Sequence, residues 1–127
     1  MNNGGTSWTS VSDRNMKENF EEINGEEILG KIKNLSITQW NYKGNSDDIK
    51  YIGPMAQDFH ASFGLGGSDS LGISTLAFDG VNMAAIQALV HRTDKIQALE
   101  ETIEQQDAAI KALRQEIEEI KRLLENR

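Results

Sequence analysis

The sequence predicts an α+β protein: a small sheet-and-helix head followed by a long C-terminal helix that bundles with copies of itself. Three observations predict it. Residues 37–42 alternate in the manner of a strand, two short amphipathic stretches flank that strand, and large aliphatic side chains recur every seven residues toward the C-terminus.

Residues 1–11 are small and polar, with one aromatic, Trp8, and read as a linker or the frayed end of an upstream segment. Residues 18–35 carry Phe20, Ile23, Ile28, Leu29, Ile32 and Leu35, and the later part suits a short helix that starts at Gly25 and ends at Asn34. In 37–42, Ile37, Gln39 and Asn41 fall on one face and Thr38, Trp40 and Tyr42 on the other. Residues 43–48 form a turn and 49–52 a second strand, closing a hairpin. Gly53-Pro54 ends it, and 55–63 form a short helix with Pro54 at its first position. A glycine-rich loop, 64–72, precedes a third strand at 73–78. Asp79 then caps the long helix. The chain divides accordingly into a stub (1–11), a head (12–78), and a long helix with its coiled coil (79–127).

From Gly80 onward there is no further glycine and no proline. About 46 residues at a rise of 1.5 Å give a helix of roughly 70 Å, too long for a globular head of this size. Leu89, Ile96, Ile103, Ile110, Ile117 and Leu124 occupy heptad position a, and Leu99, Gln106, Leu113 and Ile120 occupy d, while Arg92 weakens the first d position. Lys95 with Glu100, and Glu116 with Lys121, are opposite charges placed to meet across a parallel seam, setting register more than strength. A single helix packed on its own head is the competing reading, disfavoured because the narrow seam continues after the head's residues are used up. Isoleucine at a with leucine at d suits a dimer, whereas Ile120 and Gln106 at d suit a trimer, so the heptads alone leave the number open.

Composition removes several function classes. The net charge of −7 repels phosphate backbones, so nucleic acid is a poor partner. There is no cysteine and only two histidines, His60 and His91, so no disulfide, thiolate chemistry, metal site or cofactor is expected. No apolar run reaches the roughly 20 residues of a membrane span, and the N-terminus lacks the pattern of a signal peptide. Gly64-Leu65-Gly66-Gly67 lacks the Lys-Ser/Thr ending of a phosphate-binding loop, and Asp47-Asp48 read as turn initiators.

One constellation carries chemistry. In Ser12-Asp13-Arg14-Asn15-Met16-Lys17-Glu18-Asn19, a serine stands five residues before a lysine. Alone, this reads as a solvated turn with a capping serine. The blocks that follow change its weight: Trp40-Asn41-Tyr42-Lys43, then Gly53-Pro54-Met55-Ala56-Gln57-Asp58, then Val81-Asn82-Met83-Ala84-Ala85-Ile86-Gln87-Ala88. In order and spacing, over roughly 12–95, the four blocks resemble the intramolecular chaperone auto-processing domain. That family closes phage tailspikes, endosialidases, L-shaped tail fibres and neck appendages, and recurs in a myelin regulatory transcription factor.

The resemblance implies a parallel homotrimer that registers an upstream fibre portion of its own polypeptide and then cuts itself free at the Ser12-Asp13 pair. It makes Ser12 and Lys17 the catalytic pair, with Glu18, Asn19, Gly53, Ala56, Gln57, Asp58 and Asn82 as family-motif residues. It also implies assembly in the cytoplasm of the producing cell and a parent protein on a virion or fibre. Chemically, Ser12 Oγ needs a base, and Lys17 serves only where burial or nearby positive charge removes its proton. Arg14 favours that loss, and Asp13, Glu18 and Glu21 oppose it. Attack on the Val11 carbonyl closes a five-membered ring, whereas attack by Ser12 on its own carbonyl closes a strained four-membered one. Val11–Ser12 is therefore the preferred scissile bond on ring strain, and Ser12–Asp13 the family's. His60 is an alternative base. A tip that associates without cleavage and a coiled-coil adaptor for a partner helix are the competing functions.

Overall fold

The computed structural model describes residues 9–127; Trp8 and most of the 1–11 stub lie outside the described residues. The order is a 3-10 turn (Arg14–Met16), α1 (Gly25–Asn34), β1 (Thr38–Trp40), β2 (Tyr51–Gly53), α2 (Ala56–Phe63) and α3 (Thr75–Glu125). The α+β class and the long C-terminal helix are as expected.

The first helix has the expected ends. Asn24 Oδ1 accepts from the Glu27 amide at 3.2 Å, and the acids Glu26 and Glu27 open a helix that closes on Lys31 and Lys33. Its first residue must be small. A Cβ on Gly25 would stand 2.8 Å from the Ala88 Cβ, so α1 meets α3 at a glycine–alanine contact.

The two strands pair antiparallel, with Thr38 opposite Gly53, Gln39 opposite Ile52 and Trp40 opposite Tyr51. A three-residue hairpin is marginal by itself. Here Trp40 stacks on Tyr51 at 5.2 Å, and Tyr42 meets them edge-on at 4.9 and 5.4 Å. Such ring pairs are worth about 0.5–1.5 kcal/mol each beyond the area they bury. The expected sharing of one face by Trp40 and Tyr42 fits this cluster.

Three expectations require correction. Met55 is the N-cap of α2, in extended conformation, so Pro54 precedes the cap and does not occupy the first helical position. The third strand at 73–78 does not form, and Asp79 is not the cap of α3. Ser74 holds that place: its Oγ accepts from the Ala77 amide at 3.3 Å and its carbonyl from the Phe78 amide at 2.9 Å. The six residues Ile-Ser-Thr-Leu-Ala-Phe are compatible with a strand or a helix start, and the serine at their second position decides. Gly80 then lies inside the helix at a cost of about 1 kcal/mol, outweighed by the packing of Phe78 and Val81 on either side.

Among the described residues the buried core is small: Phe59 on α2, and Val81, Ala85 and Ala88 along one stripe of α3. Phe59 is 1% exposed, and its ring lies 5.0 Å from Phe63 and 5.9 Å from Phe78. Gly64, at φ +61, ends α2 in the left-handed region and donates its amide to the His60 carbonyl at 2.9 Å.

The chain forms two compact units, one up to Ala88 and one from Leu89 to Arg127. The second is helix almost throughout, and none of its residues is buried.

Removing the central ring should unfold the head. Phe59→Ala is expected to cost about 3–5 kcal/mol, read as a lowered urea midpoint of the full chain at fixed concentration, while Phe20→Ala, at an exposed position, shifts it little.

Candidate functional site: a serine and a lysine across a capped turn

The site is built from six consecutive residues. Asp13 is extended, and its Oδ1 accepts from the Asn15 amide at 2.9 Å. Its carbonyl accepts from the Met16 amide at 3.1 Å, and the Arg14 carbonyl from the Lys17 amide at 3.2 Å. These bonds close the 3-10 turn. Lys17 leaves it in extended conformation, and its side chain returns along the turn, where Nζ donates to Ser12 Oγ at 2.7 Å. A spacing of five thus becomes a contact.

The capping residue of this turn is Asp13, not the serine of the bland reading. Ser12 is thereby left with its hydroxyl directed at the lysine. Both side chains are exposed, as is every described residue from 9 to 24. To act as a base the amine must give up its proton, which removal from water favours.

Asn19, two residues past the lysine, has φ +56, the one positive φ on a non-glycine residue among those described. Asparagine tolerates this region where β-branched residues do not. The asparagine itself was the signal available in the sequence.

The other motif residues form the head rather than line the Ser12–Lys17 pair. Trp40 Nε1 donates to the Gly53 carbonyl at 3.3 Å, joining the aromatic block to the Gly-Pro block. Ala56 opens α2, Asp58 lies in its first turn where a negative charge suits the helix dipole, and Gln57 is exposed. Asn82 is exposed on α3, beside the buried Val81. The alternative base, His60, is engaged elsewhere: Nε2 donates to the Gly72 carbonyl at 3.1 Å and ties α2 to the end of the glycine-rich loop. His91 is exposed on α3. Asp47 Oδ1 accepts from Asn41 Nδ2 at 3.4 Å within the turn. Among the described residues no cluster of three or more His, Cys, Asp or Glu could hold a metal, and no helix is long and apolar enough to cross a membrane.

Residues 12–64 match the sequence model of the family described as chaperone of endosialidase, a family whose name also classes it with the peptidases. Over that stretch, a little over two fifths of the chain, the sequence is similar to that family. The match opens on Ser12, the residue that faces Lys17, and spans three of the four blocks; the block at 81–88 lies beyond it. No curated protein matches the chain.

The second unit presents the heptad side chains to solvent. Leu89, Ile96, Leu99, Ile103, Ile110, Leu113, Ile117, Ile120 and Leu124 are between 47% and 60% exposed. Gln106 interrupts them. Lys121 pairs with Glu118 at 3.7 Å within the helix, an exposed contact of little energy.

The left-handed Asn19 sets the path of the chain after Lys17. Asn19→Val should therefore speed tryptic nicking after Lys17, and Asn19→Ala should do so less, since the strain of a β-branched side chain there is of order 1–3 kcal/mol. Asn19→Gly should keep the native fragment pattern, all read as fragment appearance over time.

Proposed function

We propose that this chain is a self-releasing assembly chaperone: three copies associate through α3, register the upstream portion of their own polypeptides, and are cut away at Val11–Ser12 by Ser12 with Lys17 as its base. The observation that carries this reading is the 2.7 Å contact between Lys17 Nζ and Ser12 Oγ at the first residue of the family match.

Assembly follows from what α3 leaves uncovered. A half-exposed isoleucine or leucine gains roughly 1 kcal/mol when covered, and nine such side chains lie on one seam. In a parallel bundle, Lys95 faces Glu100 of a neighbour and Glu116 faces Lys121. The number three rests on Gln106 and Ile120 at d together with the family's habit. Bundling brings three upstream chain ends into one register, which raises their effective concentration for pairing with each other.

The cut proceeds in two stages. Lys17, as the free amine, takes the proton of Ser12 Oγ–H while Oγ attacks the Val11 carbonyl carbon through a five-membered ring. The Val11–Ser12 C–N bond breaks, and the ammonium returns the proton to the departing Ser12 nitrogen. The product is an ester joining Val11 to Ser12 Oγ. Water adds to that ester, the C–O bond breaks, and Oγ recovers a proton. The net change is hydrolysis of one peptide bond, leaving a carboxylate on Val11 and a free amine on Ser12.

The exposure of the pair in the single chain links cleavage to assembly. The amine becomes an effective base when neighbouring copies exclude water around it. Cleavage then waits for the bundle, and release of the helper makes assembly effectively irreversible.

Intact-mass spectrometry of the full chain tests this. The wild type should accumulate a fragment beginning at Ser12 and Ser12→Ala none; a fragment beginning at Asp13 would move the scissile bond to the family's position. The rate should rise with protein concentration and level off where sedimentation gives three chains per particle. Equal rates in separated monomers would overturn the assembly requirement, and an uncut wild type in the assembled state would leave a non-cleaving association tip.

A further inference from the structure

We infer that Asp13 is a positioning residue for the cut: its carboxylate caps the turn that carries Lys17 to Ser12. This rests on the reading of Ser12 and Lys17 as nucleophile and base, and adds to it the group that holds them together.

The turn has little else to hold it. A three-residue 3-10 segment is short of cooperative support, and isolated turns of this kind do not persist in water without added bonds. None of its residues, Arg14–Met16, is buried, so packing does not fix it. Apart from the Lys17–Ser12 contact itself, its order comes from two backbone bonds, Met16 to Asp13 and Lys17 to Arg14, and from a side-chain cap, Asp13 Oδ1 accepting from the Asn15 amide at 2.9 Å. The backbone angles of Asp13, φ −67 and ψ 128, are those of a capping residue. The lysine begins its return at the residue where the turn ends. Loss of the cap therefore loosens the distance between Nζ and Oγ rather than removing either group.

Asp13 consequently acts in two opposed ways. Its side-chain oxygen favours the geometry. Its negative charge stands one residue along the chain from the nucleophile and four residues from the base, and a negative charge near a lysine works against the neutral amine that a base requires. Asparagine separates the two, because it caps as well as aspartate and carries no charge.

The experiment compares Asp13→Asn, Asp13→Ala and Ser12→Ala in the full chain, at a concentration where sedimentation shows equal assembly. Cleavage is followed by intact mass, and exchange of the Asn15 amide is followed by NMR in the uncut Ser12→Ala background with each Asp13 variant added. Asp13→Asn should cut at least as fast as the wild type and keep the Asn15 amide protected. Asp13→Ala should cut roughly two- to thirty-fold more slowly, the range set by loss of a capping bond, and lose that protection. Asp13→Ala cutting at the wild-type rate, or Asp13→Asn slowed as much as alanine, overturns the positioning role while Ser12→Ala remains uncut. A Ser12→Ala chain that is still cut overturns the Ser–Lys reading and this inference together.

Discussion

The head depends on one ring. Phe59 is the large side chain it buries completely, and the neighbouring elements are arranged about it: Phe63 from its own helix, Phe78 from the first turn of α3, and the stripe Val81, Ala85 and Ala88 beyond. So small a core tolerates little irregularity around it. Gly25 is required where α1 meets Ala88, Gly64 where α2 must stop, and His60 to hold the end of the loop that leads into α3. A domain with four buried hydrophobic residues among those described is poorly supplied with apolar burial of its own, which is consistent with a protein whose stability is shared among copies.

The Ser12–Lys17 pair follows a different logic. Nothing in it is buried, and its geometry is entirely local: a capped turn, two backbone bonds and a side chain that folds back on the turn. Local bonding brings the groups into contact but does not exclude water, and a lysine needs both to serve as a base. The proposed division of labour is that the turn supplies contact in every copy, while assembly supplies the dry surroundings. A cut governed in this way is timed by concentration and register, which suits a helper that must remain attached until its parent chain has paired.

The long helix carries apolar side chains in both units, covered in one and open in the other. In the first unit, Val81, Ala85 and Ala88 are covered by the head. In the second, the a and d side chains are open. The covered stripe is of modest size, Val81, Ala85 and Ala88, whereas the open a and d side chains are leucines and isoleucines apart from Arg92 and Gln106.

Much of this was written in local patterns. The limits of α1, the hairpin with Trp40 and Tyr42 on one face, the heptads and the four motif blocks are all legible because each depends on residues near one another in the chain. The start of α3 was not legible: whether 73–78 is strand or helix turns on Ser74 as cap and on Phe78 and Val81 packing beneath, and periodicity over six residues cannot register either. Nor could spacing alone show that a serine and a lysine five apart touch, because an i, i+5 pair meets only if the turn between them closes, as it does here with the Asp13 cap and two backbone bonds. Sequence by itself determined which residues are available and in what order. The tertiary structure decided which of them meet, because contact depends on caps, on backbone sign and on which face of a helix is already covered.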